Sequence, residues 1–271
     1  MRFEIFFFIF LLLFVASFQD FKRREIDYWL SIFILFSGFI FLISEALFYK
    51  EISYLVNFSF LLIFVFFVSL LLYYGKIFSG GDCNLLFSLT PFFVSINFFN
   101  SFNNFLFFLV CLFVLGSFYG FFWSFGVFLK NFSKVKDSFF STKNLIFFSL
   151  GFLFLVLSFF FNDFLLIFII FFFLFFSYVF LSLEKELFVK DVLTTKLREG
   201  DWLEKDIKLN GRLIRSSFEG LEKEEISFLK KNLKRVRIKD GIPYGFAFFI
   251  SFIAFYFKDF IMEFLLLILI G

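Results

Sequence analysis

The sequence predicts an α-helical polytopic membrane protein with about eight transmembrane helices, within a range of six to nine, and a small α+β cytoplasmic domain before the last membrane region. Three observations predict this class. Of the 271 residues, 61% are hydrophobic, and the mean hydropathy of +0.95 is far above that of a soluble domain. The apolar residues fall in runs close to the ~20 residues that one helical crossing needs. One long stretch instead mixes both charge signs densely.

Seven apolar runs precede that charged stretch and are predicted to be membrane spans within a transmembrane catalytic domain, residues 1–183. The first run lacks a small-residue cleavage pattern, so it is interpreted as a retained helix and not as a removed signal peptide. Pro91 predicts a kink in the shorter fourth run. Asn162 and Asp163 interrupt a block about twice the ~20 residues of one crossing, which predicts a helical hairpin. The runs lie near residues 3–18, 29–47, 54–74, 85–99, 105–129, 145–161 and 164–183.

Residues 184–241 are predicted to form the small charged domain. Short strands or extended pieces are expected in 192–202 and 207–214, the latter around Asn210-Gly211, which is a strong hairpin signal. Apolar residues recur at helical spacing from Leu221 to Leu233, which predicts an amphipathic helix. Residues 242–271 return to the membrane, either as one extended span or as a span followed by a ninth short segment.

The distribution of basic residues predicts the orientation in the cell membrane. If the spans alternate, the basic cluster Lys22–Arg24, Lys76, the lysines of 130–143 and the charged domain all fall on one side. Loops rich in lysine and arginine stay in the cytoplasm. We therefore expect an outside N-terminus and a cytoplasmic charged domain.

Several kinds of chemistry lack their usual residues. The chain has no histidine, and its two cysteines, Cys83 and Cys111, lack the paired spacing of a zinc site or a disulfide framework. The net charge of +3 is small. We therefore expect no metal, no cofactor and no nucleic-acid partner.

Two aspartates lie at equivalent depths in the predicted topology. Asp20 is at the cytoplasmic end of the first span and Asp82 at the cytoplasmic start of the fourth. Carboxylates at such positions are costly and by default functional. Two carboxylates within hydrogen-bond reach share one proton, which is the arrangement that activates water in aspartic proteases. Asp20 and Asp82 are therefore the candidate catalytic pair.

The helix ends suggest a division of labour within the pair. Asp82 precedes a predicted helix, whose positive end favours the ionised carboxylate, and Asp20 follows one, whose negative end favours the protonated form. The hypothesis is that Asp82 is the base and Asp20 the acid. Ser79, Gly80 and Gly81 come directly before Asp82, and the glycines are expected to allow a sharp turn and a close approach of a peptide substrate. An ordinary turn between two spans is the alternative.

Three short stretches resemble one enzyme family. Asp20-Phe21-Lys22-Arg23-Arg24, Ser79-Gly80-Gly81-Asp82 and Ile242-Pro243-Tyr244-Gly245 are similar to motifs of prepilin and preflagellin (prearchaellin) peptidases, the membrane aspartic peptidases of the GxGD class. The archaeal branch is the closest likeness, because a charged domain precedes its last membrane segment. Ser79 departs from the expected glycine, and Asn84 from a lysine common in the family. A serine fits if its backbone is not left-handed.

The resemblance implies a substrate. Enzymes of this family remove a short basic leader from type IV pilin-like or archaellin precursors, which carry class III signal peptides, at the cytoplasmic membrane face. On this likeness, the acidic residues Glu25 and Asp27 are candidates for binding the basic leader. The four-cysteine insertion of the methylating bacterial relatives is missing, so methylation is not expected.

Other functions compatible with the sequence make different predictions. A polytopic transporter or ion-coupled channel would use Asp20, Asp82 and Glu45 as ion sites. A signal-peptide-peptidase or presenilin-like enzyme would have its first aspartate within a span, whereas Asp20 follows Gln19 at the end of one. A membrane scaffold without activity would be indifferent to substitution of either aspartate.

Overall fold

The computed structural model describes residues 3–139, 142–158, 187–217, 220–239 and 241–270, with isolated positions between 167 and 178. The chain forms two compact units, Met1–Gly120 with Pro243–Gly271, and Phe121–Ile242. The helices of the described residues are α1 Phe3–Arg23, α2 Tyr28–Tyr49, α3 Ser53–Tyr74, α4 Gly80–Ser88, α5 Phe98–Lys130, α6 Phe132–Phe139, α7 Thr142–Ser158, α8 Lys223–Asn232, α9 Gly245–Tyr256 and α10 Lys258–Ile270.

The described helices include four that are long and apolar enough to cross a membrane: α1, α2, α3 and α5. There is a fifth candidate span if Gly245–Tyr256 and Lys258–Phe264, which meet at a bend of 72°, cross the membrane together. The chain is therefore a mostly helical, polytopic membrane protein with a small sheet region. The predicted total of about eight spans is not confirmed. The predicted hairpin at Asn162–Asp163 and most of the span 164–183 lie outside the described residues.

The first unit is held together by the pairing of its first helix with α9, near the other end of the chain. The two run antiparallel, so that Phe6 at the start of α1 stacks on Tyr256 with 3.8 Å between ring centroids, while Asp20 near its end meets Gly245. Between these contacts, Ile9 and Leu13 are fully buried in the apolar core of the unit. This pairing brings α9 to the helix that carries one of the two candidate aspartates.

The predicted fourth span, 85–99, is wrong as a single kinked helix. Helix α4 ends at Ser88, a 3₁₀ turn covers Thr90–Phe93 with Pro91 in its first turn, and extended backbone follows at Val94. The segment still runs alongside α3 in the opposite direction. Cys83 donates to the carbonyl of Ser69, and further along the carbonyls of 95 and 96 meet the start of α3.

Side chains from other helices explain why this irregular backbone is stable. The Asn57 amide donates to the carbonyl oxygens of Ser95 and Ile96 at 3.0 and 2.7 Å. The amide of Asn104 donates to the carbonyl of Phe93 at 2.9 Å. Non-helical backbone at membrane depth is tolerated when protein groups satisfy it in this way. The sequence pattern of 85–99 alone does not contain these partners.

The second unit contains the small α+β region. Its strands are β1 Val189–Leu193, β2 Trp202–Leu203, β3 Ile207–Leu209, β4 Arg212–Ile214 and β5 Arg235–Lys239. A three-stranded antiparallel sheet has the order β1-β5-β2, and β3 pairs with β4.

The predicted hairpin and amphipathic helix are both confirmed. Asn210 and Gly211 connect β3 and β4 with φ angles of 48° and 78°, which fits the left-handed turn that matches strand twist. In α8, Ile226 and Leu229 are buried against Leu203, Ile214 and Val236. The domain boundaries at 183 and 241 stay predictions.

Candidate active site

Asp20 lies in the last turns of α1 and is buried, with 8% of its surface exposed. Its Oδ2 accepts a hydrogen bond of 2.7 Å from the backbone N–H of Gly245. One turn earlier, the hydroxyl of Ser17 lies 3.0 Å from the carbonyl oxygen of Gly245 and 2.7 Å from that of Leu13. Ser17 therefore contacts the carbonyl oxygen of Gly245, and Asp20 accepts from its N–H.

Helix α9 begins so close to the carboxylate that a side chain at position 245 would crowd it. A Cβ added there would lie 3.1 Å from Asp20 Oδ2 and 3.2 Å from Asp20 Cβ, which is tighter than most real contacts. Gly245 is also the first residue of α9, so Asp20 accepts from an N–H at the positive end of that helix. The close approach therefore fixes the Asp20 side chain by a charge-assisted hydrogen bond.

Asp82 is the third residue of α4, and Ser79 is the N-cap of that helix. Asp82 Oδ2 accepts from the Ser79 hydroxyl at 2.7 Å and from the Ser79 N–H at 3.1 Å. The Asp82 N–H donates back to Ser79 Oγ at 3.3 Å. This reciprocal arrangement is a capping box. Ser79 has φ −71° and ψ 166°, which is extended backbone, so a serine fits where the family motif has glycine.

The two aspartates come together at one end of the first unit. Burial raises the pKa of Asp82 to about 6, the Ser79 hydroxyl lowers it, and the negative charge of Asp20 raises it. The start of α4 also lies against the loop that follows α1, since a Cβ on Gly81 would be 4.0 Å from Ile26 Cβ. The charge of Asp20 therefore acts on Asp82, and the sharing of one proton by the two carboxyl groups stays a prediction.

Helix α9 corrects the predicted assignment of Asp20 as the acid and Asp82 as the base. Asp20 lies at the negative end of α1, but it also faces the positive end of α9 through Gly245. Asp82 lies at the positive end of α4. Both carboxylates are therefore stabilised by a helix N-terminus, and helix ends no longer separate an acid from a base.

Gly80 and Gly81 have a different local role from the one predicted. They are the first two residues of α4, and neither has a positive φ angle. The turn before the helix uses Lys76, whose φ is 59°. A Cβ on either glycine would meet the chain at ordinary distances of 3.8 Å or more. The sharp glycine turn is therefore wrong, and the approach of substrate backbone at Ser79, Gly80 and Gly81 stays a prediction.

The candidate leader-binding acids lie between α1 and α2. Asp27 forms an ion pair of 2.7 Å with Arg23, whose hydrogen bond lowers the pKa of Asp27, and the Asp27 N–H donates to Gln19 at 3.1 Å. Glu25 is exposed in the same loop. A basic leader would have to compete with Arg23 for Asp27. The binding role of both acids stays a prediction.

Two tyrosines near the aspartates were not singled out from the sequence. The Tyr244 hydroxyl donates to the carbonyl of Leu112 at 3.1 Å, and the lack of a side chain at Gly116 makes room for its ring. Tyr244 interacts electrostatically with Asp82, and Tyr119 with Asp20. The signal for Tyr244 and Gly245 was present, because both stand in the Ile-Pro stretch that carries the family resemblance.

Glu45, the third candidate ion site of the transporter alternative, lies away from the two aspartates. Glu45 lines a cavity of about 690 Å³, near the end of α2 and the bend between α9 and α10, with Asn104, Lys258 and Asp259. It therefore does not join Asp20 and Asp82. Among the described residues, no group of three or more His, Cys, Asp or Glu side chains is arranged to hold a metal ion.

Residues 7–125 match the model of the type IV leader peptidase family, over a region that holds Asp20, Ser79 and Asp82. This region is similar to the type IV leader peptidase family. No curated protein and no solved structure matches the chain. The match supports a type IV leader peptidase function generally. The leader peptidase region spans α1 to α4 and most of α5, whereas Gly245, which holds Asp20, lies beyond it.

Proposed function

We propose that the protein is a membrane aspartic endopeptidase of the GxGD type, with Asp20 and Asp82 as its catalytic dyad. It removes the short basic leader from type IV pilin-like or archaellin precursors with class III signal peptides. One observation carries the proposal: two buried carboxylates from different helices interact electrostatically inside the region that matches the leader peptidase family. No such pairing is expected of a scaffold, and the family match favours a peptidase over a transporter.

The dyad provides acid and base without a further cofactor. The ionised carboxylate takes a proton from water as the water oxygen attacks the scissile carbonyl carbon, and the protonated carboxyl donates to the developing oxyanion. Collapse of the tetrahedral intermediate then breaks the C–N bond, and the proton taken from water passes to the leaving amine. The dyad titrates as one unit, so the two aspartates exchange roles within a turnover.

The hydrogen bonds of the carboxylates indicate which oxygens react. The Oδ2 atoms are held by Gly245 and Ser79. In the part of the chain that the structure describes, the Oδ1 atoms of Asp20 and Asp82 accept no hydrogen bond from the protein. We assign the Oδ1 pair to water and substrate.

We propose that the reaction takes place at the cytoplasmic face, on the basis of charge. The dyad end of the first unit carries the basic cluster Lys22–Arg24, at the end of α1, and Lys76 in the loop before α4, and such basic segments remain cytoplasmic. A leader substrate is cleaved where its charged segment meets its hydrophobic helix. A dyad at a membrane boundary suits that bond.

Substitution of each aspartate tests the proposal. A precursor with a basic pilin-like leader is incubated with membranes that contain the full chain, and leader release is followed by mass spectrometry. We expect Asp20→Asn and Asp82→Asn each to abolish cleavage, because either change removes a proton donor or acceptor of the dyad.

Glu45→Gln provides the matched control, since Glu45 lies away from the dyad, and this variant should cleave normally. Size-exclusion profiles in detergent report whether each variant is folded. Cleavage retained by either folded Asp variant would refute the dyad. No cleavage by the folded wild-type chain would favour the transporter alternative.

A further inference from the structure

Ser79 is the point at which this chain departs from the GxGD pattern, and it makes a contact that glycine has no atom to make. Its hydroxyl lies 2.7 Å from Oδ2 of Asp82. Two more hydrogen bonds join the same residues, from the Ser79 N–H to Oδ2 and from the Asp82 N–H to Ser79 Oγ. Asp82 is buried, with 8% of its surface exposed.

We propose that Ser79 is a positioning residue for cleavage. Its hydroxyl fixes Asp82 Oδ2 and so directs Oδ1 toward water and the scissile carbonyl. The inference rests on the proposed function. A hydroxyl that donates to Oδ2 and accepts from the N–H of the same residue restricts both torsions of the Asp82 side chain. Glycine at 79 would leave one donor to Oδ2, its own N–H, which holds the carboxylate without restricting its rotation.

The hydroxyl also affects which protonation state Asp82 adopts. Its hydrogen bond stabilises the carboxylate and lowers the pKa of Asp82, against the effect of burial. Removing the hydroxyl therefore raises that pKa, so the dyad would gain its second proton at a higher pH. The acidic limb of the pH profile should move up accordingly.

Three substitutions separate the hydroxyl from the helix cap. Ser79→Gly restores the family pattern and costs little at an N-cap, Ser79→Ala removes both the hydroxyl and good capping, and Ser79→Thr keeps the hydroxyl. Ser88→Ala is the matched control, because Ser88 is in the same helix and its hydroxyl donates to the carbonyl of Leu85. It lies away from Asp82 in the chain and makes no hydrogen bond to it.

The experiment measures kcat, KM and the pH profile of leader cleavage by the purified full chain in detergent. For Ser79→Gly and Ser79→Ala we expect kcat to fall roughly tenfold, the scale of one hydrogen bond to a charged group. KM should stay unchanged, and the acidic limb should move to higher pH. Ser79→Thr should restore both values toward wild type, and Ser88→Ala should match wild type.

The outcomes distinguish this inference from the proposed function. If Asp82→Asn is inactive while Ser79→Gly keeps the wild-type kcat and acidic limb, the positioning role is overturned and the dyad stands. If Asp82→Asn cleaves normally, the dyad itself fails. A fall in kcat that is equal in Ser79→Thr, or that leaves the pH profile unmoved, also overturns the positioning role, because the loss then does not depend on the hydroxyl or on its effect on Asp82.

Discussion

At the scale of single residues, Asp82 is a buried carboxyl group that costs stability at neutral pH. Burial raises its pKa to about 6, against an ordinary value of 3.8 in the unfolded chain. The folded state therefore binds this proton more tightly than the unfolded state. Folding stability from Asp82 is fully present below about pH 4 and is lost as pH rises toward 6 and above. The shift corresponds to ~3 kcal/mol.

This sign predicts that Asp82→Asn stabilises the protein at neutral pH. The amide of asparagine does not ionise in this range. The variant should therefore keep the folding stability that wild type loses between about pH 4 and 6. We expect its thermal midpoint in detergent to exceed that of wild type by a few degrees at pH 7 and to match it near pH 4. Scanning fluorimetry across this range measures the difference.

Asp259→Asn serves as the control for that measurement, because Asp259 is exposed and its removal should leave the midpoints unchanged. A neutral-pH midpoint of Asp82→Asn below that of wild type would contradict the prediction. That result would mean that the Ser79 hydrogen bonds to the charged carboxylate outweigh the cost of burying it.

The sequence identified Asp20 and Asp82 as a pair because polar residues stand out where nearly everything else is apolar. It did not identify the groups that hold them. Serine is a common residue in ordinary turns. The role of Ser79 depends on its extended backbone, which leads into the first turn of α4. Gly245 acts through its backbone N–H, 225 residues from Asp20, and a backbone group has no sequence signature of its own.

At the scale of elements, the contact between α1 and α9 determines where Asp20 lies. We predict that Gly245→Ala lowers cleavage strongly while the fold persists. The new Cβ would be 3.1 Å from Asp20 Oδ2, so the carboxylate or α9 must move by a few tenths of an ångström. Small displacements of a catalytic group cost roughly ten- to a hundredfold in rate. The decrease should appear in kcat measured with the precursor.

Gly241→Ala is the matched control, four residues earlier in the same stretch, because a Cβ there meets nothing within 4 Å. It should cleave like wild type. Equal activity of both alanine variants would show that the approach of α9 to Asp20 is not needed for catalysis.

The element that sequence reasoning misjudged is 85–99, and the reason is physical. Hydropathy records that a segment is apolar enough for a membrane, but it does not record how the backbone is hydrogen-bonded. The carbonyls of Phe93, Ser95 and Ile96 are satisfied by Asn57 and Asn104. These amides come from helices on either side in sequence, so the irregular form became visible only when the helices were packed.

At the scale of the whole molecule, the distribution of charge predicts how the enzyme sits in the bilayer. The dyad end carries Lys22, Arg23 and Arg24 at the end of α1 and Lys76 in the loop before α4, whereas the loop between α2 and α3 carries Lys50 next to Glu51. Hydropathy and this asymmetry were both readable from the sequence. The structure supplies the additional fact that the basic loops and the dyad share one end.

The orientation can be tested by labelling single cysteines with a membrane-impermeant maleimide. Cys83 and Cys111, the two native cysteines, are first replaced by alanine, so that each variant carries a single thiol. Lys76→Cys and Glu51→Cys place thiols at exposed positions at opposite ends of α3.

A cytoplasmic dyad predicts that Glu51→Cys is labelled in intact cells and that Lys76→Cys is labelled only in inverted vesicles. The precursor's basic leader is held back in the cytoplasm by the same rule that holds the basic loops there, so enzyme and scissile bond meet on one side only in this orientation. The reverse labelling pattern would place Asp20 and Asp82 on the outer face, where the leader of a pilin-like precursor is out of reach.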